Sequence, residues 1–197
     1  MKIVPSSNWF PFHWGRKQEP SAKRDPVKDA RANVPATDNS KDTPLHAAAK
    51  DGDAERIAML LFKGANPNVR DAAGLTPLHF TAVNGDVEGA EMLISRGAEL
   101  NPCDHMGMTP LHMAVLEGDV DVASLLIARG AKINAQNHIG WSPLHEAVAR
   151  CNAEMIELLL SGGADRHTVD STGKTPLNIA ASLGRADLGA LLLRYEK

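Results

Sequence analysis

Aromatic side chains are scarce in this sequence, where Phe, Trp and Tyr make up 4% of the residues. Hydrophobic residues nevertheless reach 43%, so a folded core must consist mainly of aliphatic side chains. No stretch approaches the roughly 18 consecutive apolar residues of a membrane-spanning helix. Pro5 interrupts the N-terminal stretch before an apolar run of signal-peptide length develops. We therefore expect a soluble, cytoplasmic protein.

Cysteine and an excess of basic charge are also lacking. Cys103 and Cys151 have no CxxC spacing and are too few for a disulfide framework. The formal net charge of -3 leaves no basic stripe that could neutralise the phosphates of a nucleic acid. We therefore expect a reducing compartment and no nucleic-acid partner.

The sequence motifs of common catalytic sites are absent as well. There is no GxSxG nucleophile elbow, no GxxxxGK[ST] phosphate loop and no HExxH zinc motif. A single cysteine or aspartate with a scattered histidine does not indicate catalysis without a defined geometry. We expect no enzymatic activity and no cofactor.

One tetrapeptide, TPLH or a close variant, recurs along the chain at a constant interval of 33 residues. Its prolines are Pro44, Pro77, Pro110, Pro143 and Pro176. The preceding Thr or Ser is a favoured helix N-cap, and proline is favoured at the next position, so each copy predicts the start of a helix. A later glycine ends that helix, and an apolar periodicity then predicts a second one.

These in-register units resemble the ankyrin-repeat family over about residues 38–197. The resemblance implies an all-α fold, an ankyrin-repeat solenoid of stacked helix-turn-helix units with projecting β-turn fingers. The repeats are expected at about 43–74, 76–107, 109–140, 142–173 and 175–197. The resemblance further implies a binding module that holds another protein on a concave finger and inner-helix surface, as an adaptor, inhibitor or effector scaffold.

Histidine ends the TPLH motif in four of the units, at His46, His79, His112 and His145. Neighbouring helices lie about 8 to 10 Å apart, which is too wide for these side chains to share a metal ion bound at about 2 Å. The resemblance implies instead that they hydrogen-bond adjacent fingers. We expect no metal site, and we expect two further histidines in the fingers to contact the partner.

Large apolar side chains occupy finger positions that the core of a helix pair does not require. Leu75, Met108 and Trp141 hold the same place in successive units, with Met106 and Ile139 beside them. Stacking would join them into an apolar stripe, which is typical of an interaction site. We expect Trp141 to matter most, because tryptophan is enriched among binding hot spots. The predicted partner-binding residues are Leu75, Phe80, His105, Met106, Met108, Met113, Leu116, His138, Ile139, Trp141, Glu146 and Lys174.

Cys151 departs from the repeat pattern. It stands where the other units place a glycine between their two helices. That position often needs a positive φ, which costs a residue with a Cβ roughly 1 kcal/mol or more. The sequence therefore predicts local strain or a shifted turn at Cys151.

Residues 1–37 differ from the repeats in kind. Their prolines and mixed charges predict a flexible arm, in which four of the eight aromatic residues lie close together. These are Trp9, Phe10, Phe12 and Trp14. The cluster is either a docking peptide for a partner or a lid on the repeats, and membrane anchoring is less favoured. An alternative function is therefore an effector tethered to a membrane or partner by this arm. Without a partner we expect a monomer.

Overall fold

The computed structural model describes residues 42–195, and the structural statements below concern this part of the chain. Those residues form ten helices and no strand. The helices follow one another as five pairs, which confirms the predicted all-α architecture. Their bounds are α1 Pro44–Asp51, α2 Ala54–Phe62, α3 Pro77–Asn84, α4 Val87–Ser95, α5 Pro110–Glu117, α6 Val120–Ala128, α7 Pro143–Ala149, α8 Ala153–Ser161, α9 Pro176–Ser182 and α10 Ala186–Arg194.

The first helix of each pair begins at the TPLH motif, as predicted. In the third repeat Thr109 has extended backbone angles, with φ -97° and ψ 166°, and Pro110 occupies the first helical turn. The Thr109 hydroxyl accepts a hydrogen bond from the backbone N–H of His112 at 3.4 Å. In return, Nδ1 of His112 accepts one from the backbone N–H of Thr109 at 3.2 Å. This reciprocal capping box satisfies two donors that a helix start otherwise leaves unpaired.

The turn between the two helices of a pair requires a left-handed residue. Gly118 takes this conformation at φ 80°, where glycine carries no steric cost. Cys151 occupies the same place in the fourth repeat with φ 55°, and within residues 42–195 no other non-glycine residue has a positive φ. The left-handed conformation that the repeat pattern indicates at Cys151 is confirmed, and the strain stays a prediction.

The core lies between stacked repeats and is aliphatic. Each odd-numbered helix packs on the next odd-numbered helix, and the even-numbered helices form a second row. We call these the inner-helix row and the outer-helix row. Leu78, Leu111 and Leu144 are at most 1% exposed on the inner row, and alanines fill the close approaches between helices. A helix pair buries its apolar face only by stacking on its neighbours.

The described helices are short. The longest of them contain nine residues. Among residues 42–195, therefore, no helix has the length and apolar character needed to cross a membrane.

Candidate functional site

The turns between repeats are built on the side chain of an aspartate or asparagine. In the turn at 104–107, Oδ1 of Asp104 accepts hydrogen bonds from the backbone N–H groups of Met106 and Met108, both at 2.8 Å. The N–H of Gly107 donates to the Asp104 carbonyl at 3.1 Å. Asp71, Asn137 and Asp170 organise the equivalent turns in the same way. We number these turns fingers 1 to 4, at residues 71–74, 104–107, 137–140 and 170–173.

One backbone hydrogen bond joins each finger to the next. The N–H of His105 donates to the carbonyl of Ala73, and the N–H of His138 donates to that of Met106, both at 3.0 Å. The imidazole rings lie against the preceding finger, since a Cβ added to Gly74 would stand 2.9 Å from Cδ2 of His105. Both rings remain exposed, so His105 and His138 stay candidates for partner contacts.

The motif histidines connect consecutive repeats. Nε2 of His79 lies 3.1 Å from the carbonyl oxygen of Met108, while its Nδ1 accepts the backbone N–H of Thr76 at 3.0 Å. Because a backbone N–H can only donate, Nε2 must carry the ring proton and donate to the carbonyl. His46, His112 and His145 repeat this arrangement on the carbonyls of residues 75, 141 and 174. The predicted link between repeats is confirmed.

Burial keeps these histidines neutral. It lowers the pKa of His79 and of His112 to about 4, although the hydrogen bond to the next repeat opposes the shift in each case. Burial also lowers the pKa values of His46 and His145. Within residues 42–195, no group of His, Cys, Asp or Glu side chains is arranged to hold a metal ion.

A second ladder, of asparagine side chains, connects the loops that precede the fingers. Asn68 donates through Nδ2 to the carbonyl of Gly97 at 3.0 Å, and its Oδ1 accepts the N–H of Glu99 at 2.8 Å. Asn101 and Asn134 accept the corresponding backbone bond in the next repeats. We missed this ladder in the sequence, although the constant 33-residue spacing of the three asparagines could have indicated it.

Three of the apolar residues predicted to contact the partner are buried, which corrects the placement of Leu75 and Met108 in an exposed stripe and of Phe80 on the binding surface. Leu75 and Met108 are each 7% exposed, because adjacent fingers stack over this position. Nδ2 of Asn137, in the next finger, lies 3.2 Å from Sδ of Met108. Phe80 is 3% exposed and packs edge-on against His46, with ring centroids 6.0 Å apart. These side chains belong to the core.

Trp141 combines packing with a finger contact. It is partly buried, packs against the core, and stacks on the ring of His145 at a centroid distance of 6.4 Å. Its Nε1 donates a hydrogen bond to Oδ2 of Asp170 in finger 4 at 3.2 Å. Burial alone would raise the pKa of Asp170, but hydrogen bonds from Lys174, Thr172 and Trp141 lower it to about 2.

Met106 and Ile139 are the large apolar residues that the fingers do expose. Met106 is 58% exposed and Ile139 is 49% exposed, at the same place in fingers 2 and 3. The hydrogen bond from His138 to Met106 brings these two fingers side by side. The predicted stripe is therefore reduced to this pair at the finger tips.

The remaining predicted residues differ in exposure. Met113 and Leu116 on α5 are partly buried, and Lys174 beside finger 4 is exposed. Glu146 on α7 is only 2% exposed. Burial raises the pKa of Glu146 to about 7, although Arg150 opposes the shift. The predicted arm cluster of Trp9, Phe10, Phe12 and Trp14 lies outside the described residues.

The repeat pattern also matches a family model. The model described as "Ankyrin repeats (3 copies)" matches residues 45–137 and 130–197, which is most of the chain. The chain belongs to the ankyrin-repeat family. No curated protein matches this sequence closely enough to serve as a named relative.

Ankyrin repeats are in general protein-interaction modules, and the family is typically a non-enzymatic scaffold. In this ankyrin-repeat chain the ladders of His and Asn side chains hold successive fingers at fixed positions. The fingers therefore present their exposed side chains from a preformed support, which lowers the ordering cost of binding a partner.

Proposed function

We propose that this ankyrin-repeat chain binds a protein partner through fingers 2 and 3 and the adjoining inner helices. The exposed pair Met106 and Ile139 carries the proposal, because neither side chain is needed to pack the fingers that present it. Fixed backbone bonds on both sides of finger 3 hold the pair in place. Partly buried Met113 and Leu116 extend the apolar surface towards α5. Apolar groups at the centre of an interface, with polar groups around them, are typical of protein-binding sites.

Affinity purification with the full chain from its native host, followed by mass spectrometry, identifies the partner. The test variant is Met106→Ser with Ile139→Ser, which removes the exposed pair without touching a buried residue. Met59→Ser with Phe62→Ser is the matched control, because these two apolar side chains are 53% and 83% exposed on the outer-helix row.

We expect the finger variant to fold normally and to lose at least about tenfold in affinity for the purified partner, which corresponds to about 1.4 kcal/mol. The control should bind like the unmodified chain. Equal binding by the finger variant, or an equal loss in the control, would place the interface elsewhere.

A further inference from the structure

One carboxylate interrupts an apolar row of the inner helices. In each repeat, the residue that follows the motif histidine (Asn178 in the last repeat) occupies the same position of the inner helix. These residues are Ala47, Phe80, Met113, Glu146 and Ile179. Four of them are apolar and pack along the inner-helix row. Glu146 is the most buried of the five, with 2% of its surface exposed against 3% for Phe80 and 8% for Ile179, while Ala47 and Met113 are partly buried.

The Glu146 carboxylate lacks a donor within the described part of the chain. No hydrogen bond or ion pair between residues 42–195 ends on it, and the opposite charge that acts on it is that of Arg150, the residue that caps the C-terminus of α7. An ionised carboxylate that is largely removed from water and has no partner is unfavourable. The Glu146 oxygens are not among the fully enclosed unpaired atoms of residues 42–195, so they keep a narrow contact with solvent. A ligand that brings a donor to this place therefore gains more than it would at an exposed glutamate.

The register of the repeats indicates which position of the neighbouring helix lies nearest to Glu146. Nζ of Lys50 on α1 lies 4.6 Å from the ring centroid of Phe80 on α3. The equivalent positions two repeats further along are Leu116 of α5 and Glu146 of α7. Leu116 and its helix neighbour Met113 are only partly buried. By this repeat symmetry we infer that a long side chain at position 116, on the proposed protein-binding surface, would reach the Glu146 carboxylate.

We propose that Glu146 is a polar anchor of the partner site and receives a lysine or arginine side chain of the protein partner. This rests on the proposed function and specifies the chemistry of the partner. The charge balance supports a basic partner, because residues 43–197 contain nineteen acidic and thirteen basic side chains. A charged donor to a carboxylate forms a stronger hydrogen bond than a neutral one, especially where water is excluded.

The proposal couples binding to pH. A cationic side chain binds the ionised carboxylate, so affinity should rise as Glu146 loses its proton, with a pKa of about 7 in the free chain. α9 carries no titratable side chain, and His112 stays neutral at this pH. The charged or titratable groups on α7 and on the elements packed against it are His112, Glu117, His145, Arg150, Glu154, Glu157 and Lys174.

A tethered cation tests whether the carboxylate can be reached. Leu116→Lys places an ammonium group where Lys50 stands relative to Phe80, and Leu116→Met is the matched neutral control. We expect nuclear magnetic resonance titration of the side-chain carboxyl to show that the pKa of Glu146 falls by at least about one unit in the lysine variant only. An unchanged pKa would mean that a cation cannot approach from this side, and the proposal would be wrong.

Random peptides displayed on phage test the partner chemistry with the full chain. Selection is made at about pH 8, and binders are kept if they lose affinity for the variant Met106→Ser with Ile139→Ser. We expect the selected peptides to share a lysine or arginine at one position, and to bind Glu146→Gln at least about tenfold more weakly. Their affinity for the unmodified chain should fall towards pH 6, while their affinity for Glu146→Gln should not.

The outcomes separate the two proposals. Peptides that need Met106 and Ile139 but show no basic preference, or that bind Glu146→Gln equally well, would overturn the role of Glu146 and leave the proposed function standing. If no peptide depends on Met106 and Ile139, both proposals fail. Thermal melts establish that Glu146→Gln is folded, so a loss of binding cannot be attributed to unfolding.

Discussion

The Nε2 atom of His112 lies 3.1 Å from the carbonyl oxygen of Trp141, so the first helix of the third repeat is bonded to the residue that directly precedes the fourth repeat. That bond needs the ring proton on Nε2, and the capping bond from the backbone N–H of Thr109 needs an unprotonated Nδ1, so the two bonds together require a neutral ring. The same requirement holds at three other histidines, which makes the stacking of the repeats dependent on pH.

Acid should unfold the chain through these histidines. Their pKa values are lowered on folding, so below the unfolded value of about 6.5 the unfolded state binds more protons. The free energy of unfolding should hold above that pH and fall towards pH 4, by on the order of 3 kcal/mol for each of His79 and His112. Urea unfolding at a series of pH values measures this.

The matched variant for the acid prediction is His112→Asn, since Asn178 forms the same capping box in the last repeat. The variant should take up one proton fewer than the unmodified chain when it unfolds below about pH 6.5, so its free energy of unfolding should depend less on pH. At neutral pH it should lose about 1 kcal/mol of stability, because the bond to Trp141 is gone. A pH dependence identical to that of the unmodified chain would show that His112 does not contribute.

Glu146→Gln should raise the free energy of unfolding at high pH, whereas His112→Asn should lower it. Folding raises the pKa of Glu146 to about 7. The destabilisation that this causes should therefore grow as the pH rises from about 4.5 to 7, and it should stay constant above that. The variant should gain roughly 2 to 3 kcal/mol at pH 8 and nothing at pH 4, by the same urea measurement. Glu117→Gln, on the exposed end of α5, is the control and should change neither value. A gain that does not depend on pH would contradict the assigned cause.

The residues that begin and end helices could be predicted from the sequence, because their effects are local. The capping boxes of the TPLH motifs depend on neighbours three residues away, and the strain at Cys151 depends on its own φ. The exposure of the fingers depends on stacking between repeats instead. Leu75 and Met108 have the sequence position of exposed side chains, yet adjacent fingers bury them, whereas Met106 and Ile139 remain exposed.

The burial of Phe80 and Glu146 on the inner-helix row could not be predicted from the sequence pattern either. Phe80 and Glu146 share one register with side chains of very different size, so periodicity alone did not show that both would be enclosed. The contact of Phe80 with Lys50 and His46 depends on how closely α1 approaches α3. That distance is set by the packing of side chains along the whole row.

Cys151→Gly should stabilise the fourth repeat. A left-handed residue with a Cβ costs roughly 1 to 2 kcal/mol, and the added flexibility of glycine in the unfolded chain offsets about 0.5 to 1 kcal/mol of that. We expect a net gain of about 0.5 to 1 kcal/mol in the free energy of unfolding. The reverse change, Gly184→Cys, occupies open space at φ 68° and should cost a similar amount. No gain in the first variant together with no loss in the second would mean that this turn stores no strain.

Trp141→Phe separates the hydrogen bond of Trp141 from the packing of its ring. The substitution retains an aromatic ring beside His145 and removes the Nε1–H that donates to Asp170. Because a bond to a charged acceptor contributes about 1.5 to 3 kcal/mol, the variant should lose about that much stability at pH 7. The pKa of Asp170, about 2 in the unmodified chain, should rise, since one of the bonds that lowers it is gone.

Trp141→Ala removes the ring as well, and Leu144→Ala is the core control, expected to cost about 2 to 5 kcal/mol. The position of Trp141 next to finger 3 would by itself predict a much smaller loss for Trp141→Ala than for Leu144→Ala. The partial burial of Trp141 and its bond to finger 4 now predict a loss of similar size. If Trp141→Phe leaves both stability and the pKa of Asp170 unchanged, the indole N–H makes no effective bond, and Trp141 stabilises the fold through the packing of its ring alone.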